Sequence, residues 1–385
     1  MRRIGWPACL LLGSLSLLAT SPSRAAGDAG AGNTLYHTTY KCIDCHAAVL
    51  TPSNPVRSGA TVAGLQDALG AVAAMSQRYS FTLASRPADL ADIAAYIASV
   101  TASAPAAPDL NQHGLTGSWY QPATDGQGIE VEVFPDASAP GTGFMQVSWF
   151  TFDTVVGGAD RERWYTAGGP VVSGQPTATL TIYRNVGGVF NAPPVTTAVA
   201  VGTATVSFDS CASGRLVYAF SDGSARSGSI ALTRLTQNVT CQATAARPTN
   251  ADFAYSGNWY TPATSGQGVT VEVNPASSAL FLAWYTYAPD GIGTGASVQR
   301  WYTGLASYVA GARTVTVELR ETSGGAFDAP TVPPPATVAV GTGTLTFQSC
   351  SSATLSYVFT GGTNAGQAGT IALSRVGPVP PGCAA

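Results

Sequence analysis

Residues 42–46 read Cys-Ile-Asp-Cys-His, and these residue types at this spacing suit one chemistry in particular. Two thiols three positions apart can each add across a vinyl group of haem, and the histidine that follows at once can ligate the iron. The two cysteines could instead form a redox dithiol or supply half of a zinc site. Because His46 follows Cys45 directly and an export signal precedes the motif, we favour one covalently attached haem c, bound through Cys42 and Cys45.

The first 25 residues have the three parts of a secretory signal peptide. Arg2 and Arg3 form its basic start, the run from Ala8 to Ala19 is mostly apolar, and Ala25 ends a small-residue cleavage site. The apolar run is too short for a permanent membrane helix, and no later stretch is long and uncharged enough to be one. We therefore expect a periplasmic or secreted protein without a transmembrane segment, cleaved near Ala25.

Four further cysteines follow in two pairs: Cys211 with Cys241, and Cys350 with Cys383. In an oxidising compartment they indicate two disulfides. Four cysteines allow three pairings, and the internal repeat described below favours bonds within each pair.

The charge balance excludes one class of partner. Lys and Arg together number 18 and Asp and Glu 21, and Lys41 is the only lysine. Without a basic stripe to hold a phosphate backbone, nucleic acid is not an expected partner. A length of 385 residues suggests two or three domains.

The composition of the chain changes along its length. An Ala-rich part with a helical period is followed by an Ala- and Pro-rich linker, and the rest is rich in Gly, Thr and Val with strand-like alternation. The resulting division is a signal peptide at 1–25, a helical domain at 31–101, a linker at 102–114, a β repeat at 115–241, a linker at 242–254 and a second β repeat at 255–383.

The β part is one unit written twice. The segment Trp119-Tyr-Gln-Pro-Ala-Thr-Asp-Gly-Gln-Gly128 returns as Trp259-Tyr-Thr-Pro-Ala-Thr-Ser-Gly-Gln-Gly268, and later landmarks return in the same order. Within each copy, apolar and polar residues alternate and Gly, Pro, Asn and Asp mark the turns. This predicts two tandem all-β antiparallel domains of about eight strands each, either sandwiches or barrels.

Residues 31–101 resemble a small class I cytochrome c domain, so the expected fold is multidomain, with an all-α domain before the two β domains. The resemblance implies a first helix over Leu35–Cys42 and a last helix over Asp89–Val100. The last segment also shows the helical period directly, because Leu90, Ile93 and Ile97 fall on one apolar stripe.

The same resemblance implies Met75 as the second axial ligand of the iron, opposite His46. His37 is the rival ligand, and Met75 could instead simply fill the core. Ligation by His46 and Met75 leaves the iron no open position, which implies one-electron transfer with redox protein partners and not an enzyme such as a haem peroxidase.

The β repeats resemble an uncharacterised secreted bacterial domain, marked by the tryptophan-tyrosine start and by a Phe-Asn-Ala-Pro loop. Here the loop occurs as Phe190-Asn-Ala-Pro193 and Phe327-Asp-Ala-Pro330. The resemblance implies no activity, so the repeats are expected to dock the protein or bind a ligand.

Each repeat holds three tryptophans that stand next to another aromatic residue: Trp119, Trp149 and Trp164, and Trp259, Trp284 and Trp301. They could be stacking platforms for sugar rings, and the alternative function is then a surface glycan-binding or adhesion protein with an accessory haem domain, whose ligand is a polysaccharide or cell surface. The plainer interpretation places one aromatic of each pair in the core and one on the surface. Glu132 and Glu272 recur at equivalent positions; a glycosidase would need them to face each other, but we expect them to face solvent.

Overall fold

The computed structural model describes residues 27–40, 42, 61–71, 85–102, 107–236, 241, 251–380 and 383. The chain divides into two compact units, residues 1–50 with 54–103 and residues 51–53 with 104–385. The first unit contains the described α-helices, and the second contains all the described strands together with short 3-10 helices.

The helical unit has three described helical segments: Ala29–Thr34, continued by a π-helical turn at Leu35–Thr39, then Val62–Ala71 and Pro87–Ala102. Asp28 caps the first segment, because its carboxylate accepts hydrogen bonds from the backbone N–H groups of Gly30 and Ala31. The apolar stripe of the last helix is buried in a small core that contains Tyr36, Tyr40, Leu65, Leu69, Leu90, Ile93, Tyr96 and Ile97.

These helices correct the predicted fold class. The described residues between 31 and 101 form short helices and show no cytochrome-like all-α domain, so the identification of a class I cytochrome c domain is wrong. The first helix begins at Ala29 and becomes π-helical at Leu35, where a regular helix over Leu35–Cys42 is predicted. A helical period predicts a helix and the face that it buries, but it does not specify a family fold.

The larger unit consists of two closed antiparallel barrels of eight strands each. The strands of barrel 1 are β1 (Gly117–Tyr120), β2 (Gly128–Ala139), β3 (Thr142–Phe152), β4 (Glu162–Val172), β5 (Ala178–Arg184), β6 (Val199–Phe208), β7 (Ser213–Phe220) and β8 (Ser227–Arg234). The strands of barrel 2 are β9 (Gly257–Tyr260), β10 (Gly268–Asn274), β11 (Ala279–Tyr287), β12 (Gln299–Ser307), β13 (Thr314–Ser323), β14 (Ala336–Phe347), β15 (Ser352–Phe359) and β16 (Ala368–Arg375).

Each strand pairs with the next along the chain, and the first strand of each barrel also pairs with the last. Barrel 1 closes where Trp119 of β1 lies opposite Arg234 of β8, and barrel 2 closes where Trp259 of β9 lies opposite Arg375 of β16. Closure leaves neither sheet with a free edge for another chain to pair with. Of the two predicted architectures, sandwich and barrel, the structure shows the barrel.

The strand alternation fills each barrel with apolar side chains. Ile129, Val131 and Val133 of β2 point into barrel 1, where they pack with Trp119 and Trp149. The equivalent valines of β10 and the equivalent tryptophans fill barrel 2. The opposite face of both strands is also buried, since nearly every residue of β2 up to Phe134 and of β10 is shielded from solvent.

Both predicted disulfides are confirmed. Cys211 pairs with Cys241 and Cys350 with Cys383, with Cα–Cα distances of 5.5 and 6.2 Å. Each bond ties the segment after the last strand of a barrel to the turn between its sixth and seventh strands. Two disulfides fit an extracellular or periplasmic protein. Of the helices that the structure describes, none has the length and apolar character needed to cross a membrane.

Candidate functional site

The residues predicted to hold haem fall mostly outside the described residues. Cys45, His46 and Met75 all lie there, and only Cys42 is described. Cys42 is half-buried, and its backbone N–H donates to the carbonyl of Tyr36 at 2.8 Å. The rival ligand His37 instead shares a 2.9 Å hydrogen bond between its Nε2 and the hydroxyl of Tyr96.

The described residues contain no group of side chains that identifies a haem or metal site. Among them, no group of three or more His, Cys, Asp or Glu side chains is placed to hold a metal ion. This corrects the prediction of a haem- and iron-binding cytochrome. The one attachment residue that is described does fit, because a thioether requires a reachable thiol and Cys42 is half-buried rather than enclosed. Haem attachment therefore stays a prediction from the sequence of residues 42–46.

The two barrels pack against each other along a seam, in which β1–β4 of barrel 1 face β9–β12 of barrel 2. Equivalent contacts are made in both directions. The indole N–H of Trp164 donates to the carbonyl of Thr286 at 3.1 Å, and that of Trp301 donates to the carbonyl of Thr151 at 3.0 Å. Around them lies an aromatic and apolar cluster of Phe150, Phe152, Phe281, Ala283, Tyr285, Tyr287, Ala288 and Val298.

Two buried ion pairs cross the seam. The carboxylate of Glu132 lies 3.0 Å from the guanidinium of Arg375, and that of Glu272 lies 3.4 Å from the guanidinium of Arg234. Each glutamate is 0% exposed. Each also accepts from a backbone N–H of the other barrel, Glu132 from Asn258 at 2.6 Å and Glu272 from Ser118 at 2.8 Å.

The prediction that Glu132 and Glu272 face solvent is thus wrong. They do point outward from their strands, as the alternation requires, but the outward face of one barrel is covered by the other. Since both carboxylates are enclosed and paired with arginine, a substrate cannot reach them. Two recurring arginines at the ends of β8 and β16 were the sequence signal that could have identified their partners.

Glu130 is a third buried carboxyl group at the seam. It is 1% exposed, and the hydroxyl of Ser118 donates to its Oε2 at 2.8 Å. Burial raises the pKa of Glu130 to about 8, and the nearby charge of Glu272 adds to the rise. In barrel 2 the equivalent residue is Thr270, whose hydroxyl donates to Oδ1 of Asn258 at 2.6 Å.

The raised pKa of Glu130 predicts how the free energy of unfolding depends on pH. Because the folded protein holds this proton up to about pH 8 and the unfolded chain releases it near pH 4 to 5, the contribution of Glu130 to stability is lost as pH rises through this window. We expect Glu130→Gln to reduce the decline in the free energy of unfolding between pH 5 and pH 8 by on the order of 4 kcal/mol. Urea denaturation of both proteins from pH 5 to pH 9 measures this, and parallel pH profiles would contradict it.

The Phe-Asn-Ala-Pro and Phe-Asp-Ala-Pro loops are exchanged between the barrels. Phe190, from the loop after β5, belongs to the core of barrel 2, where its ring centroid lies 5.5 Å from that of Trp284. Phe327, from the loop after β13, belongs to the core of barrel 1, at 5.1 Å from Trp149. Each barrel is therefore completed by an aromatic side chain from the other repeat.

The residue after each phenylalanine secures the exchanged loop. The side-chain amide of Asn191 donates to the hydroxyl of Tyr357 at 3.2 Å, and the hydroxyl of Tyr218 donates to Asp328 at 2.7 Å. Asn191 and Asp328 have φ angles of 42° and 45°, a left-handed conformation that Asn and Asp adopt more readily than other residues with a side chain.

All six repeat tryptophans are buried, each at most 4% exposed. Four of them lie inside the barrels, and Trp164 and Trp301 lie in the seam. The interpretation of these tryptophans as surface stacking platforms is therefore wrong. The plainer interpretation is also incomplete, because neighbours such as Tyr165 and Tyr302 are buried as well.

A cavity of about 320 Å³, the seam cavity, lies between the barrels. Ser265, Gly266, Gln267 and Thr270 of barrel 2 form part of its wall, and none of its lining residues carries a charge. Barrel 1 contributes Gln146, Ser148, Trp164, Thr166, Asn185, Thr196 and Ala198, and barrel 2 also contributes Asn258, Trp259, Tyr260 and Tyr285. Because Ala198 is exposed and Gln146, Thr166 and Tyr260 are half-buried, the cavity reaches the surface.

Comparison with family models, with curated proteins and with solved structures finds no match for this chain. The identification of the β repeats with an uncharacterised secreted bacterial domain is therefore wrong, as is the cytochrome identification.

Proposed function

We propose that this chain is exported and that its pair of barrels binds a small uncharged ligand, as part of a surface glycan-binding or adhesion protein. The seam cavity is the observation that supports this proposal. Its wall combines aromatic side chains with neutral hydrogen-bonding groups, and a volume of about 320 Å³ lies at the lower end of the range for small-molecule sites. Export, with cleavage near Ala25, is supported by the signal-type N-terminus and the two disulfides.

Retention on insoluble neutral polysaccharides tests this proposal. The full-length exported protein is passed over cellulose, chitin and agarose, and we expect retention on at least one of them, with elution by the free sugar of that polymer. Free sugar must release the protein because the cavity accommodates a chain end rather than a polymer surface. No retention on any of the three would overturn the proposal.

We propose binding rather than catalysis for the barrels. Hydrolysis of a glycosidic bond needs two carboxyl groups on either side of the bond. The recurring pair Glu132 and Glu272 is enclosed in the seam, and each is held by an arginine of the other barrel. Neither group is available to act on a ligand in the seam cavity.

The second candidate function is one-electron transfer through one covalently attached haem, with a redox protein as partner. It rests on the sequence of residues 42–46 alone. When bound, the group would supply reversible reduction of its iron, and Cys42, Cys45 and His46 are the residues predicted to hold it. This candidate depends on no family assignment.

A haem-stained denaturing gel of the exported protein tests the second candidate. Expression with a haem-attachment pathway is expected to give a red protein that keeps its haem stain after denaturation, because thioether bonds survive unfolding. The matched control is Cys42→Ser with Cys45→Ser, which is expected to lose the stain while remaining exported. A colourless wild-type protein would contradict the prediction.

A further inference from the structure

We infer that the seam cavity is a site for a single neutral sugar ring, positioned by Gln146, Thr166 and Asn185. The inference rests on the proposed function, because it names the ligand class of the same site. Its basis is the position of these three side chains, their open hydrogen-bonding groups and the difference between the two repeats at this point.

The polar wall of the cavity comes from neighbouring positions on barrel 1. Ser148 of β3 lies directly opposite Thr166 of β4, and Gln146 lies two residues before Ser148 on the same face of β3. Across the cavity, Asn258 is held in place, since its amide donates to Glu132 at 2.7 Å and its Oδ1 accepts from Thr270 at 2.6 Å. The barrel 2 side is therefore a preorganised wall.

Three side chains of barrel 1 keep open hydrogen-bonding groups. Asn185 is 7% exposed, and its Oδ1 is buried and has no hydrogen-bond partner among the described residues. The side chains of Gln146 and Thr166 likewise make no hydrogen bond within the described part of the chain. The accessible groups among these are those of Gln146 and Thr166, which are half-buried and can donate to and accept from a ligand in the cavity. An amide, a hydroxyl and a second amide together suit several hydroxyl groups on one small molecule.

The lining selects against charge. A charged ligand would have to leave water without gaining a counter-charge, because none of the lining residues is ionisable near neutral pH. Glu132, whose carboxylate accepts a hydrogen bond from the lining residue Asn258, is already paired with Arg375. The aromatic rings of Tyr260 and Tyr285 line the same cavity and suit the apolar face of a pyranose ring.

The cavity lies where the two repeats differ. At the positions equivalent to Gln146 and Ser148, barrel 2 has Phe281 and Ala283, which are 9% and 1% exposed and pack in the aromatic cluster of the seam. Gln146 and Ser148 replace a bulky ring and a methyl group with two polar side chains. The polar wall is therefore specific to barrel 1. The equivalent residues of barrel 2, Phe281 and Ala283, show which side chains at positions 146 and 148 would make that wall apolar.

This inference is tested by giving Gln146 and Ser148 the residue types found at the equivalent positions of barrel 2. Wild-type protein and Gln146→Phe with Ser148→Ala are titrated with glucose, galactose, N-acetylglucosamine and glucuronate, and tryptophan fluorescence is followed, since Trp164 and Trp259 line the cavity. We expect saturable binding of a neutral sugar to the wild type in the micromolar to millimolar range, weak or no binding of glucuronate, and at least about tenfold weaker binding to the double variant. The matched control, Gln348→Phe with Ser356→Ala on exposed positions, should bind like the wild type.

The outcomes separate this inference from the proposed function. If the double variant loses its fold, Thr166→Val is used instead, with an expected severalfold loss of affinity. Unchanged sugar binding in a folded variant, or equal binding of glucuronate, would overturn the inference, and retention on a polysaccharide would still support the proposed function. Failure of the wild type both to bind any sugar and to be retained would overturn both.

Discussion

Replacing Arg375 with methionine is expected to lower the free energy of unfolding by about 3–5 kcal/mol. The substitution leaves the carboxylate of Glu132, which is 0% exposed, without its counter-charge at the centre of the seam. Arg234→Met is expected to have the same effect through Glu272, because the two ion pairs are equivalent. Urea denaturation followed by tryptophan fluorescence at neutral pH measures both losses.

The control for this prediction removes both charges at once. Glu132→Gln with Arg375→Met should recover most of the lost stability, since a buried ion pair replaced by neutral groups of similar size is often tolerated. Arg320→Met, in an exposed pair with Glu318, should have little effect. If Arg375→Met were as mild as Arg320→Met, the seam pairs would not be holding the barrels together.

Phe327→Ala is expected to destabilise barrel 1 by about 3–5 kcal/mol, although residue 327 belongs to the second repeat. Its ring packs among Trp149, Tyr218 and Phe220, so its removal leaves a void inside the barrel that it enters. Hydrogen exchange should show loss of protection first in β3 and β7.

Phe190→Ala provides the mirror-image control. Its loss should be seen first in β11 and β15, where Trp284 and Tyr357 lie against the ring. If each variant instead weakened the barrel of its own repeat, the exchange of loops would not contribute to stability in solution.

The interior of each barrel could be predicted from the sequence, and the seam could not. Alternation along β2 predicts that Ile129, Val131 and Val133 share one face, and they do. The same alternation places Glu130 and Glu132 on the opposite face, but a period of two residues carries no information about what covers that face. Only the packing of a second barrel shows that these carboxyl groups are buried.

The disulfides and the helical segments also separate what the sequence predicts from what only the structure shows. The spacing within each repeat predicts the pairing of Cys211 with Cys241, because equivalent cysteines recur in equivalent places. The stripe of Leu90, Ile93 and Ile97 predicts a buried helix face, which is found, but the family to which residues 31–101 were assigned is wrong. A local sequence pattern predicts a single helix or strand. The arrangement of several helices or strands depends on contacts between residues that are far apart in the sequence.

The seam cavity has a weaker signal in the sequence. When the repeats are aligned, Gln146 and Ser148 stand opposite Phe281 and Ala283, a polar pair against an apolar pair in an otherwise similar strand. Without the structure, this difference is one of many substitutions between the copies. It becomes informative only once both positions are seen to lie at the same seam.

The tandem linkage of the two barrels also sets what mutation can do to their contact. In a dimer of identical chains, every altered residue would appear at two symmetry-related places, so a change that opens one side must open the other. Here Glu130 and Thr270 occupy equivalent positions yet make different hydrogen bonds. Because the two barrels are parts of one polypeptide, a residue on one side of the seam can change while the equivalent residue on the other side keeps its packing.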